Sequence, residues 1–216
     1  MFKLHRECDQ VCKQDRKWGD ENAEHRDKGA RLCIADDFTL SVRMIICISG
    51  LTGSGKTTIG EALSKALNVK HIGITHKAHV SSVKDVVNFT KNATPAFEKR
   101  FDQEIVEEAE KGDCVVSTWL SPWMITNPTL RVWLFAGFNT RVERKVEEIG
   151  DPEVKIEDYI SEKDSFNSEN FMKLYKIDIN DHSVFDIEIN TERVSVGESV
   201  SLISMLALQR AKKRFE

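Results

Sequence analysis

The stretch that most constrains this chain is the apolar run Met44-Ile45-Ile46-Cys47-Ile48, followed almost at once by Gly50-Leu51-Thr52-Gly53-Ser54-Gly55-Lys56-Thr57-Thr58. A run without polar alternation suits a strand buried on both faces. After the loop, Ile59, Ala62, Leu63, Ala66 and Leu67 recur at helical spacing, so it joins a buried strand to an amphipathic helix. In that context Gly50, Gly55, Lys56 and Thr57 satisfy G-x-x-x-x-G-K-[ST], the phosphate-binding loop pattern. The glycines let the backbone curl so that successive N–H groups point at phosphate oxygens, and the following helix adds its positive end. Lys56 is then placed to reach β- and γ-phosphates, and the Thr57 hydroxyl to ligate Mg²⁺. The competing reading, a glycine-rich turn with an accidental lysine, leaves the strand before and the helix after unexplained.

The rest of the chain continues the alternation. "HIGI" (71–74) reads as a second strand, and Thr94-Pro95 opens a helix that stacks Phe97, Phe101, Ile105 and Ala109 on one face before Gly112. "CVVST" (114–118) and "LRVWLF" (130–135) are apolar and β-rich. Helical patterns at about 140–149 and 157–174, a strand at "VFDIEIN" (184–190) and a last helix from about Val196 to Lys212 complete the order. Strands alternating with helices predict an α/β fold of three layers, a parallel sheet covered on both faces.

Residues 1–43 differ from the rest. They mix both charges densely, hold three of the five cysteines and show no sustained period. They read as a poorly structured extension ahead of a 44–216 domain, and Met44 is itself a candidate start of the functional chain. A zinc reading of His5, Cys8, Cys12, His25 and Cys33 lacks the second cysteine pair such sites use. A net charge of −4 and a pI near 5.9 give no basic field for nucleic acid. With no apolar stretch of bilayer length and no apolar leader core, the composition points to a soluble, cytoplasmic chain without membrane partners.

A phosphate loop does not name a reaction, since GTPases, motor ATPases and small-molecule kinases share it. The short remaining length and the lack of an N-K-x-D pattern favour a small kinase. Beyond the loop, "MIICISGLTGSGKTT", "EIVEEAEKGDCVV" leading into "WLSPWM", "LRVWL" with "RVERKVEE", and "LYKIDINDHSVFDIEINTE" stand in register with one another. On these stretches the chain resembles the archaeal-type cytidylate kinases, of the P-loop nucleoside monophosphate kinase group. The resemblance implies ATP and Mg²⁺ as donor and metal, CMP or dCMP as acceptor, and a monomer. It also implies a five-stranded parallel sheet, an acceptor-binding segment between strands one and three, and a helical lid before the last strand.

Two anionic nucleotides must be held in line, which calls for cations that bind phosphate oxygens. Arg141 and Arg144, three apart on one predicted helix face, match arginines that the family retains. With Lys56 they are the candidate catalytic residues; a solvated basic face beside Glu143, Glu147 and Glu148 is the competing reading. Candidate nucleotide-binding residues are Gly50, Leu51, Thr52, Gly53, Ser54, Gly55, Lys56, Thr57 and Thr58. Candidate acceptor or lid residues are Lys77, Arg100, Asp102, Trp119, Lys163, Asp178 and Asp181. Trp119 offers a face on which a pyrimidine stacks, with core packing as the alternative.

The chain departs from the family in the same regions. Ser117-Thr118-Trp119 stands where an acid, glycine and arginine are usual, and Lys163, Ser168 and Asn170 stand where the lid helix repeats arginines. Gln103 and Glu104 replace the basic pair after Asp102. These departures spare the donor loop. They leave two further readings beside a nucleoside monophosphate kinase: a kinase for another small acceptor, and an ATP-binding regulatory module without transfer activity.

Overall fold

Every residue of the first strand, β1 (Ile45–Gly50), is buried, and its alternate side chains feed two separate cores. In the computed structural model, which describes residues 43–73 and 94–213, Ile46 and Ile48 face Ile59 and Leu63 of α1 (Lys56–Leu67) and Ile203 and Ala207 of α6 (Val196–Lys213). Ile45 and Cys47 face the other way, onto Ile105 and Ala109 of α2 (Pro95–Ala109) and Ile125 beyond the short α3 (Ser121–Met124). That division makes three layers, and it is why the strand shows no polar alternation. Each such side chain taken fully out of water contributes about 1.5–3 kcal/mol before entropy is counted.

Four further strands complete a wholly parallel sheet: β2 (Lys70–Ile72), β3 (Cys114–Ser117), β4 (Leu130–Phe135) and β5 (Ile187–Asn190), in the order β2-β3-β1-β4-β5. Between β4 and β5 lie α4 (Phe138–Ile149) and the long α5 (Ile156–Tyr175). The five strands and the intervening helices agree with the expected architecture. Register pairs Ile48 with Ser117 and Gly50 with Leu134, so these residues share the carboxyl edge of the sheet. From β1 the chain crosses by α1 on one face, and from β3 by α3 on the other, so the loop after β1 leaves where the connections diverge. Ligands of open parallel sheets bind in that crevice.

Local chemistry shifts some boundaries. The last strand starts at Ile187 rather than 184 because the stretch before it is a 3₁₀ turn, His182–Val184, whose Ser183 N–H is capped by Asp181 Oδ1 at 3.0 Å. The α3 turn, with Pro122 in its first turn, was not expected from the pattern. Thr94 caps α2 as predicted, its hydroxyl accepting from the Phe97 N–H at 3.2 Å. The second strand starts one residue before the predicted one and ends at Ile72. The expected 1–43 extension lies, except for Arg43, outside the described residues, as does most of the acceptor segment.

Candidate active site

The loop from Gly50 to Gly55 is folded as a close-packed curl whose glycines are sterically required. At Gly50, φ is 150°, and a Cβ there would stand 2.2 Å from the Leu134 carbonyl oxygen. At Gly53, φ is 79°, and a Cβ would meet the Arg141 carbonyl oxygen at 2.9 Å. The curl ends at Gly55, the N-cap of α1, so Lys56 and Thr57 open the helix. Lys56 Nζ donates to the Gly50 and Leu51 carbonyls at 2.7 and 2.8 Å and lies 4.9 Å from the centre of the Trp119 ring. Burial first, then the nearby Lys163 ammonium, push the Lys56 pKa down to about 7, with Asp164 opposing.

Arg141 and Arg144 of α4 were expected on one helix face as lid contacts; both reach the loop and grip its backbone. Arg141 is buried, and its Nη1 donates to the Thr52 carbonyl at 3.0 Å and to Asp164 Oδ2 of α5 at 2.7 Å. Arg144 reaches the Gly53 carbonyl at 3.3 Å and the Thr191 hydroxyl and carbonyl at 3.0 and 2.7 Å, joining the loop to the end of β5.

A cavity of about 820 Å³ opens over the loop. Lys56 and Thr57 line it together with Asp102 of α2, Trp119 just after β3 and Lys163 of α5, and the Trp119 ring lies directly beside Lys56 Nζ. Asp102 Oδ2 accepts from the Tyr175 hydroxyl at 2.6 Å, and burial pushes the Asp102 pKa up. At the sheet edge Ser117 Oγ and His71 Nε2 lie 2.8 Å apart, and burial lowers the His71 pKa. One volume of about 820 Å³ is thus bounded by a phosphate cradle and by acidic and aromatic walls, in the size range of small-molecule sites.

Residues 74–193 match the family described as cytidylate kinase-like. A cytidylate kinase of Pyrococcus horikoshii is 31% identical over 161 residues, 71% of this chain and 82% of that one. The chain belongs to the cytidylate kinase-like family. A cytidylate kinase of Methanoregula boonei is 32% identical over 79% of this chain and 97% of its own length. Solved structures agree on the fold: a gluconokinase of Sinorhizobium meliloti superposes with a TM-score of 0.53 at 15% identity, covering 80% of this chain and 96% of its own. A shikimate kinase of Acinetobacter baumannii in complex with shikimate superposes at 0.51 and 16% identity, covering 78% and 95%. Membership makes this chain a phosphotransferase, a kinase of nucleoside monophosphates. Among the described residues no helix is long and apolar enough to cross a membrane.

Within the kinase, the other residues singled out by the sequence fall in three places. Trp119, Asp102 and Lys163 line the cavity; Trp119 also packs on Phe171 at 6.1 Å, and Lys163 Nζ lies 3.2 Å from the Tyr159 hydroxyl. Arg100 points into solvent and pairs with Glu104, one turn along α2. Asp178 and Asp181 shape turns, accepting from the N–H groups of Asn180 and Ser183, and neither lines the cavity. Lys77 lies outside the described residues. Sequence reasoning missed Asp164, Tyr175 and Thr191, whose partners are remote in the chain, and Glu98, whose periodicity on α2 carried no charge signal.

Glu98 lines the cavity beside Asp102, and burial followed by the Asp102 charge pushes its pKa up to about 7. The unfolded carboxyl releases its proton near 4.5, so from there to about 7 the unfolded state binds fewer protons and stability falls as pH rises. In Glu98→Gln this loss is expected to vanish. Thermal unfolding of the two proteins from pH 4 to 8 checks it: the variant's advantage should grow with pH across that window.

Proposed function

We propose that the kinase transfers the γ-phosphoryl group of ATP to CMP or dCMP, giving ADP and CDP or dCDP. The observation that carries the reading is one cavity whose lining includes both the Lys56 cradle and Glu98, Asp102 and Trp119. Amides of the 50–58 loop, other than that of Thr52, which Asp164 takes, hold the donor's phosphates, and Lys56 exchanges its carbonyl partners for β- and γ-phosphate oxygens. An oxygen of the acceptor phosphate attacks the γ-phosphorus in line while the bond to the bridging oxygen breaks, leaving ADP. The protein contributes position and positive charge: Lys56 from the loop, and Lys163 from α5, which shares the cavity wall.

Among the described residues no group of three or more His, Cys, Asp or Glu side chains is placed to hold a metal by itself. Thr57 is exposed in the first turn of α1, beside Lys56, which fits a Mg²⁺ bound mainly through nucleotide oxygens and one hydroxyl. When bound, that ion neutralises charge on the β- and γ-phosphates. The acceptor's base lies toward Trp119, whose ring offers a stacking face, and Asp102, fixed by Tyr175, supplies an acceptor for an exocyclic amine.

Purified protein with Mg-ATP and a panel of CMP, dCMP, UMP, AMP and GMP tests the proposal. ADP release is expected to be fastest with CMP or dCMP. No turnover with any of them, despite tight ATP binding, overturns it; turnover with a non-nucleotide acceptor alone would move the chain to the second kinase reading.

A further inference from the structure

One contact of the donor loop spans 112 positions of sequence and has no part in the reading above. Thr52 is gripped through both of its backbone groups. Its N–H donates to Asp164 Oδ1 at 3.1 Å, and its C=O accepts from Arg141 Nη1 at 3.0 Å. The same Arg141 nitrogen donates to Asp164 Oδ2 at 2.7 Å, closing a ring of three hydrogen bonds. The side chains of Arg141 and Asp164 are only 9% and 14% exposed, so the ring sits largely out of water.

The geometry has a directional consequence. In a trans peptide the C=O of one residue and the N–H of the next point opposite ways. Arg141 draws the Thr52 carbonyl toward α4, which turns the Gly53 N–H away from α4. The Asp164 carboxylate meanwhile occupies the Thr52 N–H, so that amide is spent on the protein and is not offered to phosphate. Gly53 lies so close to the Arg141 backbone that a Cβ there would stand 2.9 Å from the Arg141 carbonyl oxygen. An almost buried Arg–Asp pair is poor evidence of added stability, because desolvation offsets most of its attraction. Its retention on the loop points instead to orientation.

We infer that Asp164 is a positioning residue for the donor: with Arg141 it sets the tilt of the two peptide groups flanking Thr52 so that the Gly53 N–H is presented to the donor's polyphosphate. Arg141, in this account, acts on the loop backbone and not on the transferring phosphoryl group. The inference rests on the reading of Gly50–Thr58 as the donor site.

The test compares full-length wild type with Asp164→Ala, Asp164→Asn and Arg141→Ala, by steady-state kinetics with ATP and CMP and by calorimetric titration with Mg-ADP alone. Losing a charge-assisted hydrogen bond to the loop weakens the donor about tenfold. In Asp164→Ala, KM for ATP and Kd for ADP are expected to rise together by that factor, with KM for CMP within about twofold. Asp164→Asn keeps one of the two contacts and is expected to be intermediate. The Arg141→Ala, Asp164→Ala double variant should be no worse than the worse single variant, since both remove one ring. Unchanged donor constants overturn the inference, as does an equal rise in both KM values tracking a fall in Tm. If Asp164→Ala does not fold, the near-isosteric Asn variant decides on the same criteria. Lys56→Ala separates the layers: if it leaves ADP binding intact the donor-site reading fails, whereas if it abolishes binding while Asp164→Ala changes nothing, only the inference fails.

Discussion

Lys56→Ala is expected to lower kcat/KM for ATP roughly 10²–10³-fold, the scale on which removing one preorganised charge donor slows an enzyme. The lysine stands at the first position of α1, and its ammonium is already folded over the mouth of the loop on the Gly50 and Leu51 carbonyls. With a pKa of about 7, it is roughly half neutral at physiological pH before the donor arrives. A polyphosphate beside it favours the charged form, so above about pH 7 donor binding is expected to take up a proton. Calorimetry with Mg-ATP at pH 8, in two buffers of different ionisation enthalpy, reads that uptake directly. The alanine variant should lose both the proton uptake and most of the turnover. Its Tm at pH 6 should not fall, because the substitution also removes a buried cation that the ligand-free fold accommodates at a cost. Turnover near that of wild type would show that Lys56 is not the cation of the donor site.

The donor loop was legible because everything that builds it is local. An unbroken apolar strand, fixed glycine spacing and a helix with a buried stripe occupy one continuous stretch, 44–67, and each demands a conformation that its neighbours supply. That Arg141 and Arg144 share one face was legible for the same reason, since residues three apart are neighbours on a helix. What they touch was not. Thr52 is 89 residues from Arg141 and Thr191 is 47 from Arg144, and no local pattern encodes partners that only the sheet order brings together. Residues carrying arginines to a loop backbone and residues carrying them to a phosphate have the same spacing. Around Asp178 and Asp181, for which turn-forming roles stood beside a role at the nucleotide or lid, both carboxylates accept from local N–H groups in turns ahead of β5, which starts at Ile187. On the acceptor side, Asp102 stood on α2 in the sequence, but its partner Tyr175 lies 73 residues on, at the end of α5.

Gly50→Ala is expected to lower Tm by about 2–12 °C and to weaken donor binding with it. The methyl carbon would be placed 2.2 Å from the Leu134 carbonyl oxygen and 2.6 Å from Ser54 Oγ. The second neighbour is a side chain that can rotate, but the first is backbone. Leu134 is fully buried in β4, a strand hydrogen-bonded to β1 on one side and β5 on the other, so the carbonyl cannot retreat without breaking the ladder. Forcing such a group apart costs about 1–3 kcal/mol, to which a φ of 150° adds strain for any L side chain. At this chain length each kcal/mol lowers Tm by about 2–4 °C. Gly112→Ala serves as the internal comparison, because a methyl there meets nothing within 4 Å and its effect should stay within about 0.5 kcal/mol. The relief available to the Gly50 variant is to lift the loop off β4, which also shifts the carbonyls now bonded to Lys56 and the amides offered to phosphate. Stability and donor affinity should therefore fall together in Gly50→Ala and remain near wild type in Gly112→Ala, as read by thermal unfolding and by titration with Mg-ADP. A Gly50 variant as stable and as tight-binding as its Gly112 counterpart would mean that the loop does not sit against β4 as described.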